Sequence, residues 1–364
     1  MVKHDEATDS TSVPTPAPAS AQSPAEGSAE DRLIATYFRP LATHPGAFDL
    51  TDDAAAIAPP PGCDLVLKTD GVISNVHFLP EDPADTVARK ALRINLSDLA
   101  AKGAAPLGFL LAIALPGGVP LPTEWLKAFA CGLREDAEHY GCPLLGGDTD
   151  RHRNLQTVVY ITAFGTVPHG TMVRRKGARP GDLVIATGTI GDAALGLLLR
   201  QRMLRQREPE DSAAARWKLD AAMRDHLIGR FLVPQPRLAI AEALRRYASA
   251  AMDVSDGLVG DVAKLCRVSG VAADIAVAEV PLSPAARQAV AAEPQLIETI
   301  LTGGDDFEVI ATIAPDKFEA LRQEAEAAGV AVTQIGTVAA GQGAHFRDAD
   351  GRTLAFRRLS YSHF

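Results

Sequence analysis

The sequence predicts a mixed α/β chain, of the α/β or α+β class, folded as two domains. Short β-type runs alternate with helical patterns along most of its length. A chain of 364 residues, 47% hydrophobic and 22% charged, can bury more than one core. A polar, basic stretch at 167–182, closed by Arg179-Pro180-Gly181-Asp182, interrupts the alternation where a domain boundary belongs. The expected domains are therefore 31–166 and 167–364, preceded by a tail at 1–30.

Residues 1–30 are rich in Ser, Pro, Ala, Thr and acidic side chains and lack the apolar stretch of a signal peptide, so they read as a disordered tail. In the first domain the patterns predict a strand at 65–69, a helix at 84–102, a buried strand at 107–115, a helix at 123–140 and a strand at 157–164. In the second they predict strands at 183–187, 251–254, 307–313 and 331–335. Helices are expected at 192–206, 236–247, 257–268 and 315–328, several opened by a Pro or an Asp/Thr cap. Residues 201–215 read as a charged, exposed loop or a helix extension. Thr69-Asp70-Gly71 followed by Gly146-Gly147-Asp148 is echoed by Ser255-Asp256-Gly257 followed by Gly303-Gly304-Asp305. Two related halves would explain the echo, and so would chance recurrence of short triplets.

A net charge of -9 argues against a nucleic-acid partner, because a phosphate backbone selects clustered Lys and Arg. The four cysteines, Cys63, Cys131, Cys142 and Cys266, have no CxxC spacing, so neither a zinc site nor a disulfide framework is indicated. A reducing, cytoplasmic compartment is the simpler expectation. No apolar run approaches the ~18 residues of a membrane span.

The chemistry is carried by aspartates. Asp52-Asp53, Asp70, Asp98, Asp148, Asp253, Asp256 and Asp305-Asp306 mostly stand beside Gly, Ser or Thr at expected strand or helix ends. Any one of them is explained by capping or turn formation. So many, with no matching Lys or Arg cluster, point to hard-oxygen sites for Mg²⁺ bridging to phosphates. The run 184–192 passes from a strand through Gly188 and Gly191 into a helix, which is either a tight turn or an anion cradle of backbone N–H groups. A Walker A ending is missing, as are a G-x-S-x-G elbow, an H-E-x-x-H pair and the protein-kinase loops. Chemistry that needs little acid–base help fits a phosphate monoester acceptor, whose second pKa near ~6 leaves it ionised at neutral pH. Positioning and charge neutralisation then suffice for phosphoryl transfer.

The motifs Leu50-Thr51-Asp52-Asp53, Lys68-Thr69-Asp70 with His77-Phe78, Asn95 to Ala104, Gly146-Gly147-Asp148-Thr149, Asp253 to Leu258, and Gly303 to Glu308 stand in an order that resembles the thiamine-monophosphate kinase family. The ending Tyr361-Ser362-His363-Phe364 is similar too, and the resemblance runs from about Asp31 onward. It implies the two-domain fold shared with aminoimidazole ribonucleotide synthetase, selenophosphate synthetase and hydrogenase maturation relatives, with mixed sheets flanked by helices. It implies ATP and thiamine monophosphate as substrates, thiamine diphosphate and ADP as products, and a homodimer joined through N-terminal domains. On the same resemblance, Asp53, Thr69, Asp70, Asp98, Asp148, Asp253 and Asp256 would hold several Mg²⁺ ions. Gly147, Asp148, Arg175 and Ser255 would contact ATP, His77 and Asp305 would contact the thiamine substrate, and no general base is expected.

Three positions depart from that pattern. Lys68 stands where a Ser or Thr often ligates metal, and an ammonium cannot. Asp305 replaces a Glu and is one methylene shorter. Near the end, Arg357, Arg358 and Leu359 leave Phe356 as the nearest ring for stacking on thiamine. The alternatives are a sibling ATP-dependent synthetase and a non-catalytic nucleotide-binding relative. No cysteine precedes Asp53, which disfavours a selenophosphate synthetase.

Overall fold

The computed structural model describes residues 28–154, 156–205 and 212–360. Helix α1 (Ala29–Leu33) is started by a capping box, in which Ser28 accepts from the Asp31 N–H and the Asp31 carboxylate accepts from the Ser28 N–H. Residues 28–30 of the expected tail thus belong to this capped helix start, and residues 1–27 lie outside the described ones. Short π and 3-10 turns over Ile34–Phe38, Arg39–Leu41 and Pro45–Leu50 lead to strand β1 (Cys63–Ile73). Then come α2 (Ala84–Ala101), β2 (Ala105–Pro116), α3 (Thr123–His139), β3 (Leu144–His152) and β4 (Val158–Pro168). The second unit runs β5 (Leu183–Thr187), α4 (Asp192–Arg205), α5 (Ser212–Arg216), α6 (Ala221–Leu232), α7 (Ala241–Tyr247), β6 (Ala248–Val254) and α8 (Leu258–Ser269). It continues through β7 (Ala272–Ala276), α9 (Pro284–Ala292), α10 (Leu296–Thr302), β8 (Glu308–Ile313), α11 (Pro315–Ala327), β9 (Val332–Ala339) and β10 (Gly343–Arg347).

The first sheet is four-stranded in the order β1-β4-β2-β3, with β2 and β3 parallel and the other pairs antiparallel. Alternation along the strands sends Phe109, Leu111 and Ile113 to the face that packs on Leu92, Leu96 and Leu99 of α2 and on Leu126, Phe129 and Leu133 of α3. The second sheet is six-stranded, β10-β7-β9-β5-β8-β6, with β10 parallel to β7 and the other pairs antiparallel. Both sheets are mixed and flanked by helices, as expected. The two topologies differ, however. Asp70 on β1 and Asp148 on β3 lie on opposite edges of the first sheet, whereas the Ser255 and Gly303 loops flank adjacent strands of the second. The triplet echo is therefore not a repeated architecture.

Strands β3, β7 and β10 and helices α6, α9 and α10 went unread in the sequence. The helix expected over 236–247 is a 3-10 turn, Leu238–Ile240, followed by the short α7, because Arg237 is not helical. Helix α2 lies between the units and is buried along most of its length. Across this junction Arg93 donates to the Pro234 carbonyl at 3.0 Å, Lys102 to the Ala251 carbonyl at 2.7 Å and Arg245 to the Gly103 carbonyl at 2.7 Å. Arg200 grips the buried Asp82 through two N–H groups.

Candidate functional site

The junction gathers charge around the C-terminal part of α2. Lys68 and Asp70 alternate onto the face of β1 that meets α2, and Lys68 Nζ lies 2.8 Å from Asp98 Oδ2 and 3.3 Å from Asp70 Oδ2. The last residues of β6 bring Asp253 to the same place. Asp253 is 3% exposed, and its Oδ2 has no hydrogen-bond partner among the described residues. Burial, and then the negative charges of Asp98 and Asp261, push its carboxyl up to about 8, against Lys68 and a Ser97 hydrogen bond. Burial pushes the Lys102 ammonium down to about 8, although Asp253 and Asp98 pull the other way. An orphaned buried carboxylate oxygen costs on the order of 1–3 kcal/mol or more. An arriving cation would remove that penalty, and Asp70, Asp98 and Asp253 offer it hard oxygens. Their chemistry fits a hard cation such as magnesium, which Asp70, Asp98 and Asp253 would hold and which would neutralise phosphate charge.

Lys68 also neutralises part of this cluster from within. Arg175 stands exposed on a segment tied to the junction: the Val173 N–H donates to the Lys102 carbonyl at 3.1 Å, and the Ala251 N–H donates to the Arg174 carbonyl at 3.0 Å. The positive charge of Arg175 is felt at Lys102. An exposed guanidinium near the carboxylate cluster is suited to phosphate. Asn95 and Ser97 are fully buried: Asn95 Nδ2 reaches the Asp70 carbonyl at 3.4 Å, and Ser97 Oγ the Phe307 carbonyl at 3.5 Å.

The remaining candidates lie on the other face of the first sheet. Asp52, Asp53, Gly146, Gly147, Asp148 and Thr149 line a cavity of about 910 Å³, with Tyr160, Thr162 and Phe164 among its walls. Thr69 turns toward this side, where its Oγ1 accepts from Thr162 Oγ1 at 3.0 Å. The expected ligand set is thus divided within one chain: Asp53, Thr69 and Asp148 on one face, Asp70, Asp98 and Asp253 on the other, with Asp256 on the loop after β6, where it pairs with Lys264. Among the described residues no three His, Cys, Asp or Glu side chains form a ready metal cage. Gly147 also has a structural duty. A Cβ there would stand 1.7 Å from the Leu111 carbonyl oxygen, so β3 could not hold its place beside β2.

His77 and Asp305, both expected to contact the thiamine substrate, do come together. Lys90 Nζ lies 2.8 Å from Asp305 Oδ2 and 2.9 Å from the His77 carbonyl. His77 Nδ1 accepts the Ile73 N–H at 3.1 Å, which leaves the ring proton on Nε2. Asp305 has φ +71°, and its N–H donates to the Ser255 carbonyl at 2.9 Å. Asp256 on the same loop pairs with Lys264, and the buried Asp261 accepts the Ser255 and Asp256 N–H groups at 3.0 Å each.

The 184–192 loop is a turn whose Gly188, Ile190 and Gly191 donors are already engaged within the protein, which disfavours an anion cradle. The Gly188 and Ile190 N–H groups donate to the Ala331 and Pro281 carbonyls, and the Gly191 N–H to the buried Asp306 carboxylate at 2.8 Å. Phe356 packs edge-on against Phe346 in the second core, which explains it without a stacking role. The ending at 361–364 lies outside the described residues. Lys90, Lys102 and Asp261 were missed because each reads as an ordinary polar position on a helix. Lys102 stands inside the Asn95 to Ala104 motif and Asp261 just after the Asp253 to Leu258 motif, whereas Lys90 has no such signal.

Two family models match the chain: AIR synthase related protein, N-terminal domain, over residues 51–167, and AIR synthase related protein, C-terminal domain, over 179–348. A curated relative, the thiamine-monophosphate kinase of Caulobacter vibrioides, is 39% identical over 336 residues, 91% of this chain and 89% of the relative. The crystal structure of thiamine-monophosphate kinase from Stenotrophomonas maltophilia K279a superposes with a TM-score of 0.75 at 35% identity, covering 89% of this chain and 96% of that one. A structure described as AaThiL complexed with AMPPCP and TMP superposes with a TM-score of 0.71 at 29% identity, covering 86% and 91%.

Proposed function

The chain belongs to the thiamine-monophosphate kinase family of AIR synthase related proteins, and from that premise we propose that it transfers the γ-phosphoryl group of ATP directly onto thiamine monophosphate, giving thiamine diphosphate and ADP. The observation that carries the reading is the buried, unpartnered Asp253 oxygen facing Asp98 and Lys68, one loop away from the His77–Asp305 pair. It supplies a carboxylate-rich, cation-hungry point beside a place for the acceptor.

The residues that would hold magnesium are Asp53, Thr69, Asp70, Asp98, Asp148, Asp253 and Asp256, and magnesium bound there neutralises phosphate charge. The protein's own part is alignment. Gly147, Asp148, Arg175 and Ser255 orient the nucleotide, Lys68 adds a fixed positive charge, and His77 with Asp305 holds the acceptor. No base is required, because the acceptor phosphate is already ionised and the transition state is loose.

A homodimer belongs to the same reading. Asp148 stands in the cross-strand row Asp148, Ala112, Tyr160, Gly71, so it is three strand spacings, roughly 14 Å, from the Asp70 edge. The face carrying the cavity leaves Leu65, Leu67 and Tyr160 46–63% exposed, an apolar patch that a second copy would cover. We place the domain division after β4, within 169–182 and not at the expected 166/167, which falls inside that strand, and the protein in the cytoplasm. Four free cysteines support that compartment, as does the lack, among described residues, of a helix long and apolar enough to cross a membrane.

The test is ADP release from Mg-ATP with thiamine monophosphate, free thiamine or no acceptor, with the product identified by mass. Turnover with the monophosphate alone is expected. Turnover without it, or ATP binding with no turnover, would sink the reading.

A further inference from the structure

Helix α2 carries a lysine that the transfer itself does not use. Lys90 is 2% exposed, and a lysine is rarely so deep unless every donor is engaged. Its Nζ donates to Asp305 Oδ2 at 2.8 Å and to the His77 carbonyl at 2.9 Å, and it stands 3.9 Å from the centroid of the Phe231 ring. Two hydrogen bonds and a cation–π face account for the ammonium, so it has nothing left for a phosphate. Its three partners come from different places: the loop after β1, helix α6 and the loop before β8. One buried charge therefore fixes elements of both units against each other.

Asp305 is the partner that matters. It is a non-glycine residue in the left-handed region, at φ +71°, a conformation that persists only where the surroundings impose it. The Ser255 carbonyl holds its N–H and Lys90 holds Oδ2, while the side chain is still 27% exposed. Its orientation is thus set from both ends, with the rest of the carboxylate turned toward solvent. An acceptor bearing an aminopyrimidine and a cationic azolium ring supplies the donors and the positive charge that such a carboxylate attracts.

Resting on the proposed kinase reading, we propose that Lys90 is a positioning residue for the acceptor substrate. It joins Asp305 and the His77 loop into one rigid acceptor-binding edge across the two units. Its loss leaves Asp305 free to swing and the His77 loop free to drift, which weakens acceptor binding and leaves nucleotide binding alone.

The experiment is steady-state kinetics on the full chain for wild type, K90M, K90R, D305N and K90M/D305N, varying thiamine monophosphate and Mg-ATP separately. Wild-type turnover is the control: without it the kinase reading fails, and the proposal falls with it for that separate reason. The expected result for K90M is an acceptor KM raised about tenfold or more with the ATP KM within about twofold of wild type. K90R should recover part of the loss, and D305N should add little to K90M because the two residues act as one unit. An unchanged acceptor KM in K90M, equal losses for both substrates, or independent effects of K90M and D305N would overturn the proposal. Should K90M not fold, K90R decides: a guanidinium cannot keep the same three contacts, so its acceptor KM must rise selectively, and an unchanged value would overturn the proposal.

Discussion

Asp98 is where loss of charge can be separated from loss of shape. Its carboxylate is 14% exposed and lies 2.8 Å from Lys68, which keeps a second partner in Asp70 at 3.3 Å. Asp98→Asn preserves size and one acceptor oxygen but removes the negative charge that a bridging cation needs. Turnover should fall on the order of a hundredfold or more, while thermal unfolding shifts by no more than a few degrees, since a partly exposed ion pair contributes about 1 kcal/mol or less. Near-normal turnover in the folded variant would remove Asp98 from the cation site. The aspartates were legible because carboxylates beside Gly, Ser and Thr break the hydrophobic periodicity and stand out. Lys90, Lys102 and Asp261 did not, because what marks them is burial, and burial on α2 and α8 is decided by elements distant in sequence. Lys68 was legible only as an oddity, and its meaning came from the two carboxylates that the fold sets around it.

Helix α4 shows how an element can depend on one acid at its start. Asp192 is fully buried at the first turn, where it accepts from Thr189 Oγ1 at 2.6 Å and Ser283 Oγ at 2.5 Å and pairs with His226 Nε2 at 2.9 Å. Burial pushes its carboxyl up, but the His226, Ser283 and Thr189 bonds together outweigh it, so the carboxyl stays below its usual range. A carboxyl lowered by folding stabilises the native state above its unfolded value, and that contribution disappears as pH falls through the folded value. Wild type should therefore lose stability steeply below about pH 4, while Asp192→Asn should be less stable at pH 7 and lose less between pH 5 and pH 3. Parallel stability–pH curves from denaturant titrations would refute this. Longer elements such as α2, α3 and α11 were readable from their apolar spacing. Strand β3 was not, because Gly146-Gly147-Asp148 reads as a turn. It persists as an edge strand since Gly147 lets it lie against Leu111, where any Cβ would collide. Strands β7 and β10 and the alanine-rich α9 are too short or too uniform to show a period, and only packing against neighbours makes them distinct.

Whether a second copy docks on the first sheet bears on how the divided carboxylates can work together. The first sheet covers one face with α2 and α3 and leaves Leu65, Leu67 and Tyr160 exposed on the other, beside the cavity that holds Asp53 and Asp148. A sheet face this apolar is ordinarily half of something. Because Asp148 and the Asp70 edge of one chain are separated by the width of the sheet, a triphosphate bound by both sets needs either a long reach or a neighbouring copy that brings its own edge alongside. Leu67, 63% exposed on edge strand β1, is the place to separate these possibilities. Leu67→Arg removes little packing from the monomer but puts a charge into the face that a second copy would bury, at a penalty of several kcal/mol per interface if left unpaired. By sedimentation, wild type should run as a dimer and Leu67→Arg as a monomer. The variant should keep its far-ultraviolet circular dichroism, and its turnover should fall with the fraction of dimer as protein is diluted. A monomeric wild type with full, concentration-independent turnover would show that one chain closes the site alone, and the exposed face would then need another explanation.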